Sequence, residues 1–337
     1  MALALPAVAL DEAALEHALD IVAKTQPEPV ERARAALDVI LDGVRRSPWS
    51  DVAWCASALS PNGYPVQFVV DVGGNLGYVA ELAGPQEAAA GKLARALEVL
   101  DELGTPPLPH AWVNAVGAAQ RSGELRSGTW LGGSHGAECD EYTLYFEVPP
   151  GGEAELLHAL MPAALLPSVS GLGRLETVGI EAGTGRIELY CACESTDARL
   201  IGTGMIRLGF GDRADDLISL IERTPMRPAS LLLQRGSFGL AVSIVEARPE
   251  CFMVVAPARR MLGRDRDTRR RLLELAGAEG WDLSTYAALT RGLEGDSPHR
   301  VSVHGLLAWT VAADSPPAIR FAFAPLAKDG ATEGGLP

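Results

Sequence analysis

The sequence predicts an α+β fold in which ten antiparallel strands close into a barrel with a solvent-filled lumen, surrounded by an outer ring of α-helices. Residues 141–149 alternate polar and apolar side chains with the period of two that is typical of a half-buried strand. Residues 186–191 repeat this alternation and its tyrosine. Hairpins of this kind, separated by helices, recur five times at spacings of about 45–67 residues, which indicates one supersecondary unit used repeatedly.

The predicted elements follow one another in a regular order. Apolar residues at helical spacing predict helix over 11–47, with a break at Pro27 and Pro29. Alternating segments predict a strand over 52–59 and, after it, the ten strands of the five hairpins, over 66–70, 76–82, 129–135, 141–149, 175–180, 186–193, 239–245, 251–256, 301–311 and 318–323. Further helices are predicted over 86–103, 110–121, 153–165, 213–223, 267–277 and 282–293. Turn residues separate the elements, including the turn at 60–63 between the first two predicted strands.

The two faces of the predicted strands differ in polarity. One face is apolar throughout and is expected to lie under the helices; it includes Leu144, Phe146 and Leu189. The other face is too polar for a core and suits a ligand chamber. It carries Gln67, Thr143, Tyr145, Arg186, Glu188 and Tyr190. Closure into a barrel removes the unpaired strand edges. The alternative is a sandwich with one solvated sheet face, which would give the predicted helices fewer apolar strand faces to cover. One domain is expected over 1–337, with flexible tails at 1–10 and 328–337.

Composition excludes several classes of function. The chain has 337 residues, 47% of them hydrophobic, a formal net charge of −14 and a pI near 4.9. Such an acidic chain is a poor partner for nucleic acid or an anionic membrane. The sequence has no apolar run of membrane-spanning length and no positively flanked leader, so a cytoplasmic protein is expected. The five cysteines and six histidines lack metal-ligand spacing, so neither zinc nor a disulfide is expected.

The ordered hairpins resemble those of the ABBA aromatic prenyltransferases, in particular the bacterial indole (dimethylallyltryptophan synthase-like) branch. The resemblance runs over about 50–327 and is carried by short stretches at 65–68, 77–78, 143–145 and 186–190. The family has an arginine where this chain has Gly77, lysines where it has Thr143 and Glu188, and a catalytic glutamate where it has Gln67. The resemblance implies a metal-independent transferase of secondary metabolism that moves a prenyl group from dimethylallyl diphosphate, or a similar co-substrate, to an indole, another aromatic molecule or a peptide.

The resemblance also implies a set of site residues. Substrate or diphosphate would contact Arg186, Tyr145, Tyr190, Thr143 and Tyr78, and catalysis would rest on Gln67 and Glu188. Side-chain chemistry adds four candidates: Arg320 as a replacement cation, Trp309 as a stacking surface for the substrate, and His135 and His304 as acid–base groups expected to face the lumen. Arg320 is expected to face the lumen if its neighbours Ile319 and Phe321 face outward. Arg186 and Glu188 lie two apart on one strand face and are alternatively expected to pair with each other.

Two other functions stay open at this point. The first is an enzyme on the same barrel that has lost diphosphate chemistry and performs a cyclisation, isomerisation or hydrolysis of a natural-product intermediate. The second is a barrel that binds a ligand without catalysis. Prenyl transfer predicts at least three cationic side chains converging near Tyr145 and Tyr190, because cations must hold the departing diphosphate. A repurposed barrel predicts an apolar or acidic chamber instead.

Overall fold

Ten antiparallel strands close into a barrel. The computed structural model describes residues 12–72, 76–137, 139–193, 198–228, 231, 238–294 and 302–326. Each strand pairs with its neighbours in the order β1-β10-β9-β8-β7-β6-β5-β4-β3-β2, and β1 pairs with β2 to complete the closure. The strands are β1 Val66–Asp71, β2 Leu76–Glu81, β3 Thr129–His135, β4 Asp140–Glu147, β5 Arg174–Glu181, β6 Ile187–Cys193, β7 Phe238–Val245, β8 Arg248–Pro257, β9 His304–Ala312 and β10 Ser315–Phe323. The predicted barrel is confirmed, and the sandwich alternative is wrong.

Helices cover the outside of the barrel. They are α1 Glu12–Val22, α2 Pro27–Ile40, α3 Asp42–Arg45, α4 Ser50–Ala53, α5 Lys92–Glu102, α6 His110–Arg121, α7 Glu153–Leu160, α8 Leu166–Val169, α9 Ala198–Leu208, α10 Ala214–Arg223, α11 Ala258–Leu262, α12 Asp265–Glu279 and α13 Ser284–Leu289. Helix α2 packs against β2 and β3, α5 against β3 and β4, and α10 against β9 and β10. No helix in the described part of the chain is long and apolar enough to cross a membrane.

The main hydrophobic core lies between the helices and the outer face of the barrel. Alternate strand residues such as Phe68, Leu144, Phe146 and Leu189 are at most 1% exposed and belong to this core. Because side chains alternate across a strand, the residues between them face the lumen. A second, smaller apolar cluster of Ala241, Met253, Val255 and Ala308 is separate from the core and lies on that inner face.

Residues 52–59 are not a strand, and this prediction is wrong. Residues up to Ala53 belong to α4, and the chain then runs as a loop to β1. The loop is held by a hydrogen bond from the amide of Ser57 to the carbonyl of Gly63, which has a φ of 83°. Trp54, an apolar residue of the predicted strand, packs on Tyr64 at a ring-centroid distance of 5.6 Å. The apolar residues of this segment are therefore those of a loop that packs on the core, and their spacing resembles that of a strand.

Four helices, α4, α8, α9 and α11, were not predicted. Helix α9 contains Gly202 and Gly204, and glycine lowers helix propensity by about 1 kcal/mol relative to alanine. Gly204 lies where a Cβ would be 3.2 Å from Leu172 Cδ2 and 3.5 Å from Phe252 Cε2. Close packing against the barrel thus favours a residue that local propensity does not.

Candidate functional site

Strand register places one row of lumen-facing residues across seven neighbouring strands. Trp130 pairs with Glu81 on one side and with Tyr145 on the other, and Tyr145 pairs with Gly179. The row continues through Glu188, Ser243 and Cys251. Two carboxylates, Glu81 and Glu188, therefore lie on the same row, with an indole and a phenol between them.

Glu188 lies at the centre of a hydrogen-bonded group. The hydroxyl of Tyr145 donates to Glu188 Oε2 at 2.9 Å, and the hydroxyl of Tyr190 donates to the same oxygen at 2.8 Å. The tyrosine rings meet edge to face with centroids 6.3 Å apart. Oε1 of Glu188 has no hydrogen-bond partner among the described residues and is not fully enclosed. This oxygen is therefore available to a molecule in the lumen.

Two glycines position the ring of Tyr145. A Cβ at Gly179 would lie 2.7 Å from Tyr145 Cε1, and a Cβ at Gly132 would lie 2.8 Å from Cε2. These distances are shorter than real Cβ contacts, so only glycine allows the ring to rest on the strands on both sides. The phenol is thereby directed toward Glu188.

The two phenols stay protonated at neutral pH. Burial raises the pKa of Tyr145 and of Tyr190 well above the ordinary value, and the negative charge of Glu188 raises both further. A buried tyrosine beside a carboxylate loses its proton with difficulty because a second negative charge would be added nearby. Both hydroxyls therefore act as donors to Glu188.

Arg320 extends into the lumen from β10. Its neighbours Ile319 and Phe321 are 1% and 2% exposed in the outer core, so alternation directs Arg320 inward. Burial would lower its pKa, but Glu188, Tyr190 and Tyr145 raise it, and the net effect is upward. No hydrogen bond and no ion pair within 4 Å joins Arg320 to another described residue. Its guanidinium is charged, near Glu188 and unpaired.

Arg186 lies at the mouth of the barrel. Its guanidinium is 3.6 Å from Glu181 and 3.6 Å from Glu250, just before β6 begins. The alternative that Arg186 pairs with Glu188 is therefore wrong. Arg186 also does not join the group formed by Tyr145, Tyr190 and Glu188.

Thr143 and Gln67 are on the lumen face but apart from Glu188. Thr143 pairs in register with Gly132 and with Glu181. Gln67 is 5% exposed, and its amide lies against Gly305, where a Cβ would be 2.5 Å from Gln67 Nε2. Both side chains line the chamber without bringing a charge to it.

Glu81 forms a second polar group that sequence reasoning missed. Its carboxylate accepts hydrogen bonds from Lys92 Nζ at 2.7 Å, from the Ser57 hydroxyl at 2.8 Å and from the Trp130 indole at 3.2 Å. Glu81 lies on the same face of β2 as Val79, opposite to the core residues Tyr78 and Ala80, so the period-two pattern could have placed it inward. Lys92 and Ser57 come from a helix and a loop that only the tertiary structure brings to β2.

Tyr78 and His135 are on the outer face of the barrel, and their predicted lumen positions are wrong. Nδ1 of His135 donates to Asp140 at 2.9 Å, and the Tyr78 hydroxyl is 3.1 Å from Nε2. Burial lowers the pKa of His135 more than Asp140 raises it, so the ring is uncharged at neutral pH. Its Nε2 then accepts a hydrogen bond from the Tyr78 hydroxyl. A cavity of about 10 Å³, the size of one water site, borders both residues beneath α1 and α2.

His304 and Trp309 are also on the outer face, so these two predictions are wrong as well. His304 lies between Asp265, 2.6 Å from Nδ1, and the Tyr286 hydroxyl, 2.8 Å from Nε2. The indole of Trp309 donates to the Thr224 hydroxyl at 2.8 Å, at the end of α10. The two histidines thus share one arrangement, with aspartate on Nδ1 and tyrosine on Nε2. His304 connects α12 and α13 to the barrel, whereas the partners of His135 lie on the strands β2 and β4.

Comparison with known proteins adds evidence on the fold. No family model and no curated protein sequence matches this chain. A crystal structure of the prenyltransferase PriB with L-tryptophan and dimethylallyl thiolodiphosphate aligns with a TM-score of 0.76 at 15% identity, covering 93% of this chain and 95% of its own. The 6-dimethylallyltryptophan synthase from Micromonospora olivasterospora, in complex with DMASPP and Trp, aligns at 0.74 and 16%, covering 95% and 98%. The 5-dimethylallyltryptophan synthase from Streptomyces coelicolor aligns at 0.71 and 15%, covering 91% and 94%.

The chain has the prenyltransferase-barrel fold. The likeness spans nearly the whole length of both chains, and the closed ten-strand topology agrees with it. At 15–16% identity it establishes the architecture and leaves the chemistry to the residues of the lumen.

The lumen of this prenyltransferase barrel is poor in cations. At the positions where the resemblance expects an arginine and two lysines, the described lumen carries Gly77, Thr143 and Glu188. Near Tyr145 and Tyr190, the cation among the described residues is Arg320. The part of the chain that the structure describes also contains no group of three or more side chains suited to a metal ion.

Proposed function

We propose that this chain is an enzyme of the prenyltransferase-barrel fold that performs acid–base chemistry on a small organic molecule in its lumen. Glu188 is the general base, and the reaction is a cyclisation, isomerisation or hydrolysis of a natural-product intermediate. The observation that carries the proposal is the free Oε1 of Glu188, held in place because Tyr145 and Tyr190 bind the other oxygen. A carboxylate fixed in this way can accept a proton from a bound substrate.

The charge of the lumen supports this function over diphosphate ionisation. A diphosphate needs several charge-assisted hydrogen bonds, each of which contributes about 1.5–3 kcal/mol. Arg320 can supply such bonds, but Glu188 would repel the diphosphate, and Arg186 is already paired with Glu181 and Glu250. A proton transfer requires no cluster of cations.

Hydrogen–deuterium exchange tests the proposed base. The protein is incubated in D₂O with a panel of indole and phenol carbon acids, and mass spectrometry follows deuterium incorporation into each compound. Replacing Glu188 with glutamine keeps an oxygen that accepts from Tyr145 and Tyr190 but removes the base. We expect the Glu188→Gln variant to lose about 10²–10⁴-fold in exchange rate. The matched control Glu124→Gln changes an exposed carboxylate and should retain the wild-type rate. Equal exchange by the wild type and Glu188→Gln would contradict the role of Glu188.

Aromatic prenyl transfer is the second candidate. The fold and the aromatic side chains Tyr145, Tyr190 and Trp130 favour it, because aromatic faces stabilise an allylic cation. The solved neighbours bind tryptophan together with prenyl thiolodiphosphates, as their complexes record. The acceptor would be an indole, another aromatic molecule or a peptide, and dimethylallyl diphosphate would be the co-substrate.

Calorimetry with dimethylallyl diphosphate separates the two candidates. No heat at millimolar ligand supports the acid–base function. Saturable binding that is lost in the Arg320→Gln variant, together with a prenylated indole detected by mass spectrometry, would establish the transferase function instead.

A further inference from the structure

Arg320 carries an unused recognition group inside the barrel. Its guanidinium has no hydrogen-bond or ion-pair partner within the described chain, and Asp71, its register partner on β1, is not within ion-pair distance of it. On the β9 side the row is small and apolar, with Ala308 beside Arg320 and Val255 beyond, whereas the neighbour on β1 is the carboxylate of Asp71. We propose that Arg320 binds a carboxylate group of the substrate, and that the apolar part of the substrate lies against Ala241, Met253, Val255 and Ala308. This inference rests on the proposed use of the lumen as the substrate site.

The guanidinium of Arg320 is partly buried and faces the lumen without a partner from the described part of the chain. A guanidinium has five N–H donors, and an anion accepts from several of them at once. The charged form is maintained, because the field of Glu188 raises the pKa of Arg320. The planar donors of arginine match the two oxygens of a carboxylate in a bidentate geometry. A bound carboxylate would therefore supply a charged partner that the described residues do not.

Charge balance favours a carboxylate over a diphosphate. Arg320 contributes one positive charge, whereas Glu188 and the register partner Asp71 are both carboxylates on the same face of the barrel. A carboxylate adds one more negative charge, which the guanidinium contacts directly. A diphosphate adds two or three, and its extra oxygens would face Glu188 and the apolar cluster without a cation.

The free Oε1 of Glu188 indicates a second functional group that the substrate should carry. This oxygen accepts hydrogen bonds, and the charge of the Glu188 carboxylate acts on Arg320. A substrate that contacts both groups carries a carboxylate and, elsewhere in the molecule, an N–H or O–H donor. The apolar cluster beside Tyr190 and Cys251 accommodates the ring or chain between them.

Ligand-observed NMR and calorimetry test this site with two probes, indole-3-propionate and its neutral amide, indole-3-propionamide. Both probes carry the same indole ring with its N–H donor, but only indole-3-propionate carries a negative charge. We expect the wild-type protein to bind the carboxylate at least about tenfold more tightly than the amide, because charge-assisted hydrogen bonds are roughly twice as strong as neutral ones. The Arg320→Gln variant should lose this preference. The control Arg121→Gln removes an exposed arginine from α6 and should keep it.

The inference would be overturned by equal affinity for the two probes, by a carboxylate preference that survives Arg320→Gln, or by no binding of either probe at 10 mM. Tighter binding of inorganic pyrophosphate than of the carboxylate would also overturn it. The Glu188→Gln variant separates this site from the proposed reaction. If Glu188→Gln leaves deuterium exchange unchanged while the carboxylate preference persists, the binding site stands and the proposed base fails.

Discussion

Lys92 Nζ donates to Glu81 Oε2 at 2.7 Å, with the two side chains only 10% and 5% exposed. The helix α5 is thereby joined to the inner face of β2 by a buried ion pair. Breaking such a pair leaves an uncompensated buried charge and costs about 3–5 kcal/mol, more than the net value of the pair itself.

Replacing Lys92 with methionine should therefore reduce the free energy of unfolding by about 3–5 kcal/mol in urea titrations. The double variant Lys92→Met/Glu81→Gln removes both charges and keeps an acceptor for Trp130 and Ser57, so it should recover much of that loss. The control Lys24→Met changes an exposed lysine and should have little effect. A loss below 1 kcal/mol in the single variant would contradict the importance of the buried pair.

Gly179→Ala should displace the ring of Tyr145, because the new Cβ would lie 2.7 Å from Cε1. Forcing extra volume into a well-packed site costs about 1–3 kcal/mol. The displaced hydroxyl should also lose its hydrogen bond to Glu188. Thermal unfolding measures the first effect and the proposed exchange reaction measures the second. Gly183→Ala is the matched control, since no atom lies within 4 Å of a Cβ there, and a similar loss in both variants would count against steric contact with Tyr145.

Asp265 should contribute to acid sensitivity. Burial would raise its pKa, but hydrogen bonds from the side chain and amide of His304 and from Ser302 lower it to about 2. A carboxyl group with a lowered pKa in the folded state stabilises the protein above its unfolded pKa, near 4. This contribution, about 2 kcal/mol, is lost as the pH falls from about 4 to about 2.

Urea titrations at pH 4.5 and pH 2.5 measure this contribution. Because pH 2.5 is still above the folded pKa of about 2, the free energy of unfolding of Asp265→Asn should fall by about 1.5 kcal/mol less than that of the wild type between these two pH values. Asp101→Asn, at an exposed position of α5, should follow the wild type. Identical losses in the wild type and Asp265→Asn would show that another group is responsible.

The variant Thr143→Lys/Glu188→Lys should acquire affinity for inorganic pyrophosphate. It restores two cations at lumen positions where the resemblance expects them, and each charge-assisted hydrogen bond contributes about 1.5–3 kcal/mol. We expect an increase in affinity of about 100-fold or more over the wild type by calorimetry, provided that circular dichroism shows a folded barrel. Glu124→Lys, which adds positive charge on the surface, should leave the affinity unchanged. Unchanged affinity in the double variant would mean that lumen charge does not decide diphosphate binding.

The barrel could be predicted because alternation along each strand is a local property. Alternation places Ile319 and Phe321 in the core and directs Arg320 inward. It likewise places Tyr145 and Tyr190 on the inner face and Leu144 and Leu189 in the core. Applied consistently, it would also have placed Tyr78, His135 and Trp309 outward. The family pattern at 77–78 suggests Tyr78, and the chemistry of their side chains suggests His135 and Trp309, in each case before the strand face is considered.

Other features of the site depend on distant parts of the chain. Glu250 reaches Arg186 because β7 and β8 contain a register shift between Ser243 and Ile244. Asp265 reaches His304 from 39 residues away. Local patterns do not encode such pairings, so the roles of Arg186 and His304 followed only from the tertiary structure.

The pairing of β1 with β10 has a consequence for synthesis. Residues 66–71 emerge from the ribosome long before their partners at 320–323, so β1 must wait for the last strand before its second edge is paired. Contacts between such distant residues slow folding, and unpaired edges favour aggregation in the interval. Arg320 lies on that final strand, and the ligand site is therefore complete only when the whole barrel has closed.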